Sequence, residues 1–438
     1  MEARAPGSRR TVKPLHERSV RLPDSTLPLL LRGYAWLPDL LRAEDRPLVR
    51  TRLMGRPAVA LRGPDAVPFF YDEENVVRRS AVPGPVLDTL FGRGAVHTLD
   101  GEAHRVRKAM FTALLKDAGG IAALTDTVVE EWRAATAAHR GGQVVLFEQA
   151  CRVLARSVCA WAGLPLAEAH ARRMAADCAA MVDGFATPGP RHLRARQARA
   201  RQERSLAALV AAVRRGGRQA APGSALEVVA EHRGADGQPL DERTAAVELL
   251  NVIRPTVAIA WFTVFAAHAL HRQPGLTPAL QDDDSGAHRV MFAHEVRRFY
   301  PFAPFVGGRA ARDTRWHGEP VAAGCTVLLD VYGRHHDPSL WGDPYAFRPD
   351  RFAGPHPPVD LILAQGGGDA ARGHRCPGED ITVSVLAALS GELARCRLDV
   401  PGQDLSIPLS RIPTLPRSGF TARITLPSDP PVGAAPAR

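Results

Sequence analysis

The residues of this chain best suited to chemistry lie in QGGGDAARGHRCPGEDITVSVLAAL, from Gln365 to Leu389. Cys376 stands near its centre, approached by Gly366, Gly367, Gly368 and Gly373, flanked by His374 and Arg375, and followed by Pro377, Gly378 and an apolar helix. Glycines let backbone come close to a flat cofactor, and amide N–H groups aimed at sulfur favour its thiolate. A thiolate so held is a candidate iron ligand, with Gly367 and Gly368 against the cofactor. The rival reading is a glycine loop running into a helix, its cysteine buried as a small hydrophobe. A second reactive position is Arg254, followed by Pro255, inside AAVELLNVIRPTVAIAWFTVFAAHALH (Ala245 to His271). That stretch is apolar nearly all round, so it reads as a long buried central helix. Proline bends a helix and frees a carbonyl. An unpaired guanidinium buried there is costly and needs an anion. Glu248, the nearest acid upstream, lies on a rather different face, so the anion is either a distant carboxylate or a ligand.

Two further motifs precede the cysteine, EVRR (Glu295 to Arg298) and FRPDRF (Phe347 to Phe352). In this order and at these distances the sequence resembles the cytochrome P-450 superfamily. The resemblance implies a mainly α fold: a cytochrome P-450-type single domain with haem between the long central helix and the proximal cysteine loop, and a small β-sheet region. It implies haem b (iron protoporphyrin IX), with Cys376 as the metal ligand and Glu295, Arg298 and Arg351 as a structural triad behind it. Two positions depart from the usual pattern, which carries Phe seven residues before the cysteine and Arg two before it; here they are Asp369 and His374. QGGGD followed by GHRCPGE resembles instead the fatty-acid peroxygenase branch. Ordinary monooxygenases of the superfamily carry an acid–alcohol pair in the central helix, whereas here Thr256 follows Pro255 with no acidic partner. The branch has Arg-Pro at this place, so the resemblance implies that Arg254 clamps a substrate carboxylate by a charged pair. The carboxylate then handles the proton of peroxide in place of the missing side-chain acid. The implied activity is hydrogen-peroxide-dependent oxidation of long-chain fatty acids, by α/β-hydroxylation and/or decarboxylation to terminal alkenes, with no dedicated redox partner required.

The same resemblance assigns other residues. His104 and Arg107 are three apart and share a helical face, with Lys108 adjoining. They and Arg375 become candidate cofactor contacts; the alternative is a solvated basic face. His97, on the segment before that helix, is implied to lie over the distal face of the haem. An imidazole there titrates near neutral pH and steers the fate of the substrate. Phe91, Phe302 and Phe305 match positions lining the substrate tunnel, with plain core aromatics as the alternative. Pro188 stands where relatives often carry a small apolar residue near the channel.

Composition bounds the rest. A chain of 438 residues, 45% hydrophobic and 23% charged, has material for a sizeable core. No Ser/Gly-rich linker divides it, so residues 21–427 read as one domain, between a basic N-terminal tail (1–20) and a disordered C-terminal tail (428–438). The formal net charge of +10 and the six arginines from Arg191 to Arg204 raise the idea of nucleic-acid binding. No aromatics are interleaved for base stacking, and apolar residues resume at Leu206, Leu209 and Val210, so an amphipathic helix is the better reading. Six cysteines without metal-finger spacing suit a reducing, cytoplasmic setting. LPLLLRGYAWL (Leu27 to Leu37) is too short to span a bilayer. The rival functions are a reductase- and dioxygen-dependent monooxygenase and a non-catalytic haem or fatty-acid binding protein.

Overall fold

The stretch from Ala245 to His271 is the axis around which the other elements pack. In the computed structural model, which describes residues 23–425 except 45, 140, 141, 165, 166 and 186, it forms two helices, Glu242–Val257 and Ile259–Arg272. The tails 1–20 and 428–438 lie outside the described residues. Asp241 caps the first helix by accepting the Thr244 N–H at 2.9 Å. The break at Ala258 follows Pro255, which cannot donate to the carbonyl of Asn251. Of the most apolar window in this pair, 94% is buried, which makes it a core element by packing.

Helices supply most of the structure, as the apolar spacing predicts. The first central helix packs on Leu146–Trp161 and on the arginine-rich Pro190–Arg214; the second packs on Leu146–Trp161 and on Glu379–Arg395, the helix that follows Cys376. Glu379–Arg395 also meets Ala118–His139 and Ala287–Phe299. The cysteine loop, which enters Glu379–Arg395, is thereby brought within electrostatic reach of Arg254 in the central helix. A further helix, Ala225–Glu231, is capped by Ser224 and buries Leu226 and Val229.

A five-stranded sheet flanks the helices in the order Leu48–Leu53, Arg56–Leu61, Thr326–Asp330, Phe305–Ala310, Val76–Val77. Only the pairing of Arg56–Leu61 with Thr326–Asp330 is parallel. Met54 and Gly55 close the first hairpin with φ of 50° and 75°, the left-handed pair that a two-residue hairpin turn needs. A smaller sheet joins Gln143–Val145, Thr421–Thr425 and Arg397–Asp399.

One buried acid at the end of the sheet makes stability depend on pH. Asp330 is 8% exposed and accepts the Gly333 N–H at 2.8 Å. Burial pushes its carboxyl up to about 7. The folded state therefore keeps a proton that the unfolded chain, with an ordinary pKa near 4, has released. Stability from this group is fully present below about pH 4 and is lost as pH rises through about 7. Asp330→Asn is expected to flatten that decline, which amounts to roughly 1 to 3 kcal/mol, as read from urea unfolding at pH 5 and pH 8.

Candidate functional site

The cysteine loop is fixed at both ends. The Cys376 N–H donates to the Gln365 carbonyl at 2.9 Å. Asp369, where the usual motif has Phe, accepts the N–H groups of Ala371 and Arg372 at 2.6 and 3.1 Å and so makes the turn itself. The glycines serve a close approach, but to another element: a Cβ on Gly366 or Gly367 would lie 2.9 Å from the Tyr71 hydroxyl or from Val67. Gly368 is likewise set against Tyr71. At these positions a side chain would collide with the helix Ala66–Tyr71.

Behind the loop, Arg297 is wholly buried and spans the two ends, donating to Gln365 Oε1 at 2.9 Å and to Glu379. Burial pushes the Cys376 thiol up, while the Gly378 N–H, Lys108 and Arg297 all favour its thiolate. Lys108 donates to the Arg375 carbonyl. Burial pulls its ammonium down to about 8, against the pull of Cys376 and Asp369. Arg375 itself turns outward, to Glu379 at 2.6 Å and Asp360 at 3.0 Å. It was expected at the cofactor; the two carboxylates hold it in the supporting network instead. Glu295 accepts two bonds of 2.7 Å from Arg298, and both side chains are fully buried. Arg351 lies 3.6 Å from Glu295 and donates to the carbonyls of Trp341, Asp343 and Ala346.

On the opposite side stands Arg254. It is 5% exposed, and its one side-chain hydrogen bond is to Asn251 Oδ1 at 3.2 Å. No carboxylate among the described residues pairs with it, and its Nε has no partner. Glu248 is committed to Arg107 at 2.7 Å, the Val96 N–H at 2.7 Å and Asn251 at 3.2 Å. Burial, and secondarily Arg199, pull the Arg254 guanidinium down to about 9, still cationic at neutral pH. The Phe91 ring lies 5.9 Å from this guanidinium and 4.4 Å from the ring of His97. Burial and the Arg254 charge hold His97 down at about 3, so its imidazole is neutral at physiological pH, in contrast to the near-neutral titration expected from the sequence. Its Nδ1 is buried without a partner. Thr256 donates back to the Val252 carbonyl at 3.0 Å, so its hydroxyl is engaged in the helix.

Sequence and structure comparisons converge on this arrangement. The Cytochrome P450 family model matches residues 290–362. Cytochrome P450 1A1 of Cavia porcellus is 35% identical over 89 residues, 20% of this chain and 17% of that protein. Abscisic acid 8'-hydroxylase 2 of Oryza sativa subsp. indica is 24% identical over 422 residues, 86% of this chain and 79% of that protein. The first three curated relatives are matched over only 17%, 22% and 29% of their own length. Solved structures match over nearly the whole chain. Cytochrome P450SP alpha (CYP152B1) in complex with (R)-ibuprophen is 39% identical with a TM-score of 0.88, covering 92% of this chain and 99% of that one. The chain belongs to the cytochrome P450 family. A variant of cytochrome P450 OleT in complex with arachidonic acid follows at 34% identity and TM-score 0.86, covering 91% and 96%. Cytochrome P450EX alpha (CYP152N1) with myristic acid has 34% identity and TM-score 0.87, covering 93% and 99%. The CYP152 structures give this P450 its branch.

A P450 binds haem, and the residues here fit one. Several buried polar atoms have no hydrogen-bond partner among the described residues: Arg78 Nη1, His97 Nδ1, His104 Nδ1, His374 Nε2 and Arg254 Nε, although His374 Nε2 lies 3.4 Å from Glu73 and 3.7 Å from Asp100, and His104 Nδ1 lies 3.9 Å from Glu73. Buried donors left unpaired are rare and point to a group that completes them. Arg78, His104 and His374 suit the carboxylates of a flat dianionic cofactor. His104 stacks on His374 with centroids 4.0 Å apart, and burial together with His374 holds it at about 3. Arg78, with Phe70 and Tyr71 under its guanidinium, carries no motif and escapes a reading of the sequence. Arg107 is corrected: although it shares a face with His104, its guanidinium reaches Glu248 on the central helix. Phe302 packs on Phe262 at 4.7 Å and Phe305 on Trp36 at 5.7 Å, each partly buried. Pro188 is exposed on the surface before the helix Pro190–Arg214.

Proposed function

We propose that this P450 uses hydrogen peroxide to oxidise long-chain fatty acids, by α/β-hydroxylation and/or oxidative decarboxylation. The observation that carries the reading is Arg254, a buried cation with no paired carboxylate among the described residues, set where Pro255 breaks the central helix and within electrostatic reach of Cys376. A fatty-acid carboxylate fits it in charge and geometry and relieves the burial of an unpaired ion. The acyl chain then occupies the apolar space beside Phe91, each buried methylene contributing about 0.8 kcal/mol. Clamping the carboxylate fixes the α and β carbons as those nearest the cofactor.

Haem b, held through Cys376, supplies peroxide activation and oxygen transfer, with the thiolate favouring O–O cleavage. The chain's own contribution is placement and charge. Thr256 is spent on the helix and Glu248 on Arg107, so neither delivers a proton; the docked carboxylate is the acid–base group at the site. Its arrival offsets the Arg254 charge, the second cause after burial of the low His97 value, while burial continues to favour the neutral imidazole. Hydroxylation consumes one peroxide and releases one water; decarboxylation consumes one peroxide and releases carbon dioxide, two waters and the alkene. The fatty acids in the structures of two relatives support this substrate class. The reading takes residues 21–427 as one catalytic domain, and the six free cysteines support a reducing, cytoplasmic setting.

The test is product analysis by gas chromatography with purified haem-loaded protein and myristic acid. Hydroxy acids or a terminal alkene are expected with peroxide alone. Turnover that requires an electron donor, reductase and dioxygen, and is absent with peroxide, would overturn it.

A further inference from the structure

We propose that Arg199 is a positioning residue that fixes the Phe91 ring and thereby selects which carbon of the acid is oxidised; this rests on the function proposed above. Arg199 lies in the arginine-rich helix Pro190–Arg214, which the sequence reads as amphipathic. It is instead 2% exposed and fully engaged. Its Nη1 donates to the Leu90 carbonyl at 2.6 Å, Nη2 to the Phe91 carbonyl at 2.9 Å, and Nε to Glu203 at 2.6 Å.

The carbonyls it takes are those a wide turn leaves open. Leu87–Phe91 is a π-helical turn closed by the Gly92 N–H on the Leu87 carbonyl at 2.9 Å. Such a turn ends with unpaired carbonyls that attract a cation. Gly92 then leaves with φ of 87°, and a Cβ there would fall 2.1 Å from Arg199 Nη2. The glycine is the space into which the guanidinium fits. Asn251 Nδ2 donates to the same Phe91 carbonyl at 2.9 Å while its Oδ1 holds Arg254. One backbone carbonyl thus ties three elements, and the ring on that residue touches both sides of the site, 4.4 Å from the His97 ring and 5.9 Å from the Arg254 guanidinium. Glu203 pairs with Arg199, whereas Arg254 has no carboxylate partner among the described residues. On its outer side Arg199 borders a cleft of about 150 Å³, so a shorter side chain admits water and lets the turn shift.

The test compares Arg199→Lys, Arg199→Gln and Gly92→Ala with the wild type. Lysine keeps the charge but cannot fork onto two carbonyls; alanine at 92 keeps Arg199 and displaces it. With carbon monoxide spectra and haem content matching wild type, the α-to-β product ratio is expected to change by about threefold or more in Arg199→Lys and Gly92→Ala. An unchanged ratio in both overturns the assignment. Crystal structures of the same variants decide independently of turnover: a displaced Phe91 supports it, and Phe91 in place despite the lost bonds sinks it. A wild type inert to peroxide would refute the proposed function alone, with the structures still deciding on Arg199. If Arg199→Gln fails to fold, Arg199→Lys and Gly92→Ala carry the comparison.

Discussion

Arg254→Met is expected to abolish most peroxide-driven oxidation of long-chain acids while making the substrate-free protein more stable. The two effects share one cause. In the substrate-free chain the guanidinium is buried with a single neutral partner, Asn251, so it has paid for desolvation without recovering it through a counter-charge. Methionine has similar reach and no charge, and its gain in stability is about 1 to 3 kcal/mol. With substrate present the balance reverses. A buried, charge-assisted pair is lost, and kcat/KM for myristic acid is expected to fall about a hundredfold to a thousandfold. The carbon monoxide band should keep its thiolate position because, among the described residues, the Arg254 side chain bonds to Asn251 and not to the cysteine loop. Thermal unfolding with and without myristic acid completes the test: the fatty acid stabilises the wild type, and should stabilise the variant far less. If the variant is less stable than wild type, or turns over the acid unimpaired, Arg254 has an intramolecular partner and the clamp is wrong.

What the sequence made legible follows from how each feature is encoded. The cysteine loop, the E-x-x-R pair and the Arg-Pro break are short motifs whose residues act on near neighbours, so type and spacing suffice. The long central helix is legible because a stretch apolar on every side has nowhere to go but the interior. Partners of buried charges are another matter. Arg107 finds Glu248, Arg297 finds Glu379, and Arg199 finds two backbone carbonyls, all across large gaps in sequence. With 56 Lys and Arg against 46 Asp and Glu, local spacing does not say which pairs form. The family resemblance implied cofactor contacts for Arg107 and Arg375, and the geometry gives both carboxylate partners. His97 fails for a related reason: its position is local, but its charge state depends on burial and on an arginine 157 positions away, neither of which its own neighbours reveal.

Glu295→Gln is expected to act in the opposite sense to Arg254→Met and to unfold the protein or strip it of its thiolate-ligated haem. Here the buried charges are paired. Arg298 gives two bonds to Glu295 and two of 2.8 Å to the carbonyls of His335 and Pro344. Glu295 also accepts the Arg348 N–H at 2.7 Å, so the pair joins the E-x-x-R helix to the loop that carries Arg351. Burial raises the Glu295 carboxyl while Arg298, the Arg348 N–H and Arg351 draw it back. A neutral amide leaves Arg298 uncompensated at 0% exposure. Breaking one side of such a pair costs about 3 to 5 kcal/mol, a large part of the roughly 5 to 15 kcal/mol that holds a domain together. The expected readouts are a marked drop in the urea midpoint and a carbon monoxide band shifted away from the thiolate position. The double variant Glu295→Leu with Arg298→Met should recover only part of the loss, because removing both charges ends the electrostatic penalty but orphans the carbonyls that Arg298 served. Full recovery would mean that the pair's charges alone matter; a single variant as stable as wild type would remove Glu295 from any supporting role.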